Sequence, residues 1–346
     1  MIIFMRRNTF MMIRKYLFTL LACFFISFTY AQYVPDILGE DYLCRTIQMP
    51  DDYEGKVVCS LIKKPQLPET KQAILYIHGY NDYFFQKQLG DSVQAHGYNF
   101  YALDLRKYGR SILPNQDQFF CKSLKEYFAD IDTALAIIRE EGNDKILLMA
   151  HSTGGLFTPY YLHHRQDKVK VDGLILNSPF FDWNLSWFME KIVMPVVSFI
   201  GKFFPNLVVQ DGGISSYAQS LLKQFKGEWK YDTRWKTLYG HPKKAGWIHA
   251  IHEAQRTIQK GVDLTCPVLL LSSDKSFPET YEWNDTYVSS DIVLDVQDIQ
   301  KYGQDLGNHV TRDTIPNGMH DLILSQKEAR DQTYSSIFEW LKRYSF

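Results

Sequence analysis

The stretch "ILLMAHSTGGLF", residues 146–157, decides how the rest of the chain is read. An uninterrupted apolar run reads as a strand buried on both faces. It stops at Ser152, and Thr153, Gly154, Gly155 and the helical-looking "LFTPYYLHHR" follow at once. A serine at such a strand-to-helix corner has its hydroxyl pushed out over the carboxyl edge of the sheet, and small neighbours let strand and helix approach closely. The Thr153 N–H opens the helix, where the free amide and the positive end of the dipole favour an oxyanion. The G-x-S-x-G pattern is met with Ala150, the smallest substitute, at the first glycine.

Working outward, the same alternation repeats. "QAILYIHG" (72–79), "NFYALDL" (99–105), "VDGLILNS" (171–178), "PVLLLSS" (267–273) and "VTRDTIPN" (310–317) read as strands. The segments between them have helical periodicity. "SLKEYFADIDTALAIIREEG" opens with a Ser-x-x-Glu capping box, Ser123 to Glu126, and closes on Gly142. Continuous apolar strands separated by helices predict an α/β fold: a mostly parallel sheet covered by helices on both faces. Ahead of it, "YLCRTIQM" and "KVVCSLIKK" flank "PDDYEG" as an antiparallel hairpin. If that turn centres on Asp51 and Asp52, Cys44 and Cys59 stand opposite each other and could form a disulfide. Cys266, just before Pro267 and a core strand, reads as a packed free thiol.

About eighty residues between "VDGLILNSPF" and "CPVLLLSS" break the alternation and are rich in Trp, Phe, Met and Tyr. So long an insertion at the carboxyl end of a sheet exceeds what a connection needs. We expect it to form a helical cap over residues 184–262, between core parts 32–183 and 263–346. Its opening "WFMEKIVMPVVSFIGKFF" (187–204) holds more apolar side chains than one helix face can hide, so part is expected to line a pocket.

Arg6, Arg7, Arg14 and Lys15 precede the uncharged "YLFTLLACFFISFTYA", which ends in Thr29 and Ala31 before Gln32. That is the layout of a signal peptide over residues 1–31 and predicts a secreted or periplasmic protein. The 16 uncharged residues fall short of the ~20 that span a bilayer. "LLAC" at 20–23 resembles a lipoprotein cleavage box, yet the apolar run continues past Cys23. Lipid or membrane anchoring are therefore the lesser alternatives. With 38 basic against 39 acidic residues, the charge gives no reason to expect a nucleic-acid partner. No C-x-x-C spacing suggests zinc, and "WIHAIHEAQ" reads as an ordinary amphipathic helix.

With these motifs in place, the chain resembles the α/β-hydrolase superfamily over roughly residues 45–345. Within it the likeness is to the monoacylglycerol lipase and lysophospholipase-like group that also includes serine aminopeptidases. "YIHGYND" (76–82) matches the His-Gly loop, so Tyr80 would supply the second oxyanion N–H beside Thr153. "ALDLRKYGRS" (102–111) matches a structural marker after the next strand, and "IPNGMHDL" (315–322) makes His320 the catalytic histidine. The order Ser, Asp, His is that of the fold. Two aspartates compete for the acid. Asp274 ends the strand in "PVLLLSSD", whereas the family's acid lies slightly further on, at the position of Ser276. An extra stretch, "FPETYEWNDTYVSS", then precedes "DIVLD", whose Asp291 and Asp295 resemble the acid segment. One helix and one strand between acid and histidine need about 25–30 residues. Asp291 lies 29 residues before His320 and Asp274 lies 46 before it, which favours Asp291.

The resemblance implies an acyl-enzyme mechanism with Ser152 as nucleophile, His320 as base and no metal or organic cofactor. Its expected substrate is a small lipophilic ester, such as a monoacylglycerol or lysophospholipid, with peripheral membrane contact through the cap. An exported aminopeptidase of the same fold is the alternative, and would need an acidic clamp for the substrate amine. A catalytically inactive ligand-binding relative is a third reading. His78 and His151 are expected to pack or hydrogen-bond loops.

Overall fold

The computed structural model describes residues 32–280 and 282–346. The expected signal peptide lies outside the described residues.

A nine-stranded sheet runs in the order β1-β2-β3-β5-β4-β6-β7-β10-β11. Its strands are β1 (Val34–Asp36), β2 (Gly39–Asp52), β3 (Gly55–Lys63), β4 (Gln72–Ile77), β5 (Asn99–Asp104), β6 (Lys145–His151), β7 (Gly173–Asn177), β10 (Val268–Ser273) and β11 (Val310–Ile315). Two short strands, β8 (Val208–Gln210) and β9 (Lys243–Lys244), pair separately within the insertion. From β5 onward every pairing of the large sheet is parallel, and β1 to β3 join as antiparallel strands. The apolar runs read from the sequence supply the central strands, and β4, β6, β7 and β10 are buried almost end to end. This is the mostly parallel α/β architecture expected.

Helices cover both faces. Alternate strand residues such as Leu75, Ile77 and Leu148 pack under α2 (Phe128–Glu140), α3 (Thr153–Arg165) and α6 (Ala245–Ile258). Ile74, Tyr76, Leu147 and Met149 face α1 (Lys87–Ala95) and α8 (Lys327–Arg343). The capping box is present: Ser123 and Glu126 bond reciprocally, and a 3₁₀ turn leads into α2. Gly97 and Gly142 follow α1 and α2 at φ 86° and 94°, a backbone region that glycine enters without steric cost.

Two expectations are corrected. Cys44 faces Ile62, and Cys59 faces Ile47, so the two thiols are not partners. The turn lies at Tyr53–Glu54 rather than at Asp51–Asp52, which moves the pairing further along β3, and a register shift between Met49 and Asp52 takes one residue of that back. The offset of three residues puts the side chains on opposite faces. Cys44 packs with the α1 and α8 layer and Cys59 with the α2 and α3 layer, both as buried free thiols.

The second correction concerns residues 187–204. They form a π-helical turn, Met189–Val193, running into α4 (Met194–Phe203). Much of their apolar surface points to solvent: Trp187, Phe199 and Phe204 are 69%, 66% and 67% exposed. The cavity that Ser152 and His320 line is walled instead by Phe180, Trp183, Leu185, Ile214, Trp247 and Ile292–Leu294. Helical spacing shows that a segment has an apolar face, but not whether that face looks inward. At the other end of the insertion, α6 is continuous with the core, where Trp247, Ile251, Ala254 and Ile258 are buried.

Candidate active site

Ser152 stands at the corner between β6 and α3 with φ 54° and ψ −117°. A non-glycine residue holds that conformation only where its surroundings force it. Here the chain is drawn in tightly. A Cβ on Gly154 would come within 2.3 Å of the His78 carbonyl, and one on Gly155 within 2.8 Å of Pro179. A Cβ on Gly79 would lie 3.0 Å from that of Ser152. The first loop therefore passes directly beside the serine and carries Tyr80 with it. Tyr80, Thr153, Ser152 and His320 all line one cavity of about 660 Å³.

The Ser152 hydroxyl lies 2.9 Å from His320 Nε2, and His320 Nδ1 lies 2.9 Å from Asp291 Oδ2. A carboxylate on Nδ1 fixes the proton there and leaves Nε2 to accept from the serine. Asp291 is fully buried, and its other oxygen accepts the N–H groups of Val293 and Leu294, both at 2.8 Å. Asp274 is exposed and accepts the Asn317 N–H at 2.9 Å instead.

The extra stretch before Asp291 now has a structural account. Ser276 and Asp291 pair as an isolated parallel bridge, and Phe277 N–H bonds the Asp291 carbonyl at 2.9 Å. Residues 277–290 thus leave and return at one point, delivering Asp291 to the position that Ser276 occupies along the chain. Ser276 Oγ completes the join by donating to the Leu294 carbonyl and accepting the Val296 N–H, each at 2.8 Å. Asp295 caps α7 (Val296–Gly303) through the Gln297 N–H at 2.9 Å.

His78 and His151 play structural parts in this geometry. His78 Nε2 accepts the Leu105 N–H at 3.1 Å, so its Nδ1 donates to the Gly79 carbonyl at 2.8 Å. His151 contacts the Asn177 carbonyl at 3.2 Å, and its ring centroid lies 4.8 Å from that of His320. Burial lowers the His151 pKa against the opposing pull of Asp321, favouring a neutral ring beside the site.

Several neighbours have no local signal in the sequence. Tyr217, from the short helix α5 (Ser216–Leu221), stands edge-on to His320 at 5.3 Å. Asp82, His151 and Asp321 bring one ligand-type atom each within 4.8 Å of one another, all of them buried. The Lys236 ammonium, 2.9 Å from Asp82, already supplies a cation to that cluster and opposes a metal ion there.

A strand–serine–helix corner at the carboxyl edge of a parallel sheet, with Asp and then His following in chain order, defines an α/β-hydrolase. The chain belongs to the serine aminopeptidase S33 family (Hydrolase_4), which matches residues 68–278 and so takes in Ser152 but stops short of Asp291 and His320. No curated protein matches it in sequence. Among solved structures it is similar to a soluble variant of monoglyceride lipase from Saccharomyces cerevisiae in complex with a substrate analog. That match has 15% identity, covers 92% of this chain and 97% of the other, and has a TM-score of 0.63. It is similar also to a thermostable carboxyl esterase from Bacillus coagulans, at 13% identity, 87% and 98% coverage and TM-score 0.60. A monoacylglycerol lipase from Paleococcus ferrophilus matches at 18% identity, 79% and 94% coverage and TM-score 0.56.

Proposed function

We propose that this α/β-hydrolase is an exported serine hydrolase that cleaves carboxylic esters with a lipophilic acyl group, of the monoacylglycerol or lysophospholipid kind. The observation that carries the reading is the Ser152–His320–Asp291 hydrogen-bonded series on the floor of the cavity. His320 takes the Ser152 proton as Oγ attacks the ester carbonyl, and Asp291 stabilises the imidazolium that forms. The Tyr80 and Thr153 N–H groups receive the oxyanion. The alcohol leaves with the proton from His320, and water then releases the acid from the acyl-enzyme by the same steps.

Lipophilic substrates suit the aromatic and aliphatic wall formed by Phe180, Trp183, Trp247 and Ile292–Leu294. Each methylene moved from water contributes roughly 0.8 kcal/mol, about a fourfold gain in kcat/KM. Activity on p-nitrophenyl esters is therefore expected to climb from acetyl to octanoyl, with fluorophosphonate labelling at Ser152. A flat or falling profile would reject the acyl-chain reading. Faster cleavage of amino-acid p-nitroanilides would favour the aminopeptidase reading, for which Asp211 and Glu279 are carboxylates at the cavity wall.

The outward aromatic face of residues 187–204 fits peripheral contact with lipid. Among the described residues no helix is long and apolar enough to cross a membrane. Replacing Trp187 and Phe199 by serine is expected to lower co-sedimentation with phosphatidylcholine vesicles several-fold without changing hydrolysis of a soluble short-chain ester. Unchanged co-sedimentation would remove this part of the proposal.

A further inference from the structure

The loop that carries Tyr80 is tied to the inserted segment one residue at a time. Asn81 sits in the left-handed region at φ 49°, and its side-chain amide pairs both ways with Thr237. Its Nδ2 donates to the Thr237 carbonyl at 3.0 Å, and its Oδ1 accepts the Thr237 N–H at 2.8 Å. Asp82 accepts the Lys236 ammonium at 2.9 Å, with only 1% and 6% of the two side chains exposed. The Tyr83 hydroxyl accepts the Asp232 N–H at 2.8 Å, and its ring stands edge-on to Trp235 at 5.2 Å. Phe85 continues the series against Tyr231 at 5.0 Å.

Residues 81 to 85 thus run against 237 down to 231, and the tie at Asp82, two residues from Tyr80, is ionic. A buried ion pair adds little net stability compared with apolar residues of the same volume, because both charges must be desolvated. What it does supply is direction. An ammonium held by a buried carboxylate fixes the backbone at Asp82, two residues from the Tyr80 N–H. Burial alone would raise the Asp82 carboxyl, yet the Lys236 ammonium outweighs it and holds the group below the usual carboxylate range. Asp82 therefore stays ionised and the pair persists.

We propose that Lys236 is a positioning residue for catalysis: through Asp82 it holds the Tyr80 N–H where the oxyanion develops, making the inserted segment part of the oxyanion hole. This rests on reading Ser152 as the nucleophile. An interaction expressed only in the transition state changes kcat and leaves KM nearly alone. Losing a whole oxyanion donor costs ~10²–10³ in kcat, and a displaced donor should cost about 10- to 100-fold.

The test compares Lys236→Met, Lys236→Arg and the double variant Asp82→Asn with Lys236→Met. For each, kcat and KM on p-nitrophenyl butyrate, the thermal midpoint and the fluorophosphonate labelling rate at Ser152 are measured. Lys236→Met is expected to lose about 10- to 100-fold in kcat and in labelling rate, with KM within about threefold of wild type. Lys236→Arg, which keeps the cation, should recover part of the loss. The double variant leaves no unpaired buried charge, so it should fold even if the single variant does not, and it should be as slow. Wild-type kcat in any folded variant without the ammonium, or a loss confined to KM, would overturn the proposal. If the wild type labels at Ser152 while the variants keep full kcat, the positioning role alone fails. If the wild type does not label, the nucleophile reading beneath it fails.

Discussion

Ser152→Ala is expected to lower kcat on esters by about 10⁶ with little change in thermal midpoint, the scale on which triad nucleophiles act. The loss is large because Oγ forms the bond that defines the acyl-enzyme, and no neighbouring group can replace it. His320 Nε2 would face a methyl group, and water attacking directly would have to find its own position above the site. Stability should hold because the wild-type side chain makes one partly exposed hydrogen bond to His320. The strain at φ 54° belongs to the backbone, and alanine inherits it. The Ser152 N–H still bonds the Asn177 carbonyl at 3.0 Å, so the corner keeps its anchor. Stopped-flow or long-time ester assays read the first expectation and a thermal melt the second. A variant within about tenfold of wild type would remove Ser152 from the chemistry.

The chain order shows why some features were legible in the sequence and others were not. The corner at Ser152 is local: the strand pattern, the small residues and the helix start fall within a dozen positions, and Gly154 is there because a Cβ would strike the His78 carbonyl. The capping box at Ser123 is legible for the same reason. The β2–β3 register was not, because neither the turn at Tyr53–Glu54 nor the shift between Met49 and Asp52 has a residue signature as distinct as an Asn-Gly turn. Separation along the chain hides the rest. Lys236 and Asp82 are 154 residues apart, and a lone lysine in an aromatic stretch reads as solvated surface until the fold closes over it.

Asp291→Asn is expected to reduce kcat by about 10⁴ and Asp274→Asn to change it less than twofold. The two aspartates differ in what an amide would do. At position 291 the Val293 and Leu294 N–H groups would keep the amide oxygen at Oδ1, since that atom already accepts both at 2.8 Å. The NH₂ group would then face His320 Nδ1, now 2.9 Å from the carboxylate oxygen. A donor opposite Nδ1 forces the proton onto Nε2, so the ring can no longer accept from Ser152, and the buried imidazolium formed during attack loses its counter-charge. At position 274 the side chain is exposed and its oxygen accepts one backbone N–H, from Asn317, which an amide oxygen can do equally well. Steady-state kinetics of the two variants, with near-ultraviolet circular dichroism to confirm that both fold, separate the cases. Should Asp274→Asn prove the more damaging, Asp291 would be no more than a support for the loop at 293–294, and the acid would have to act from a conformation in which residues 277–290 no longer return to Ser276.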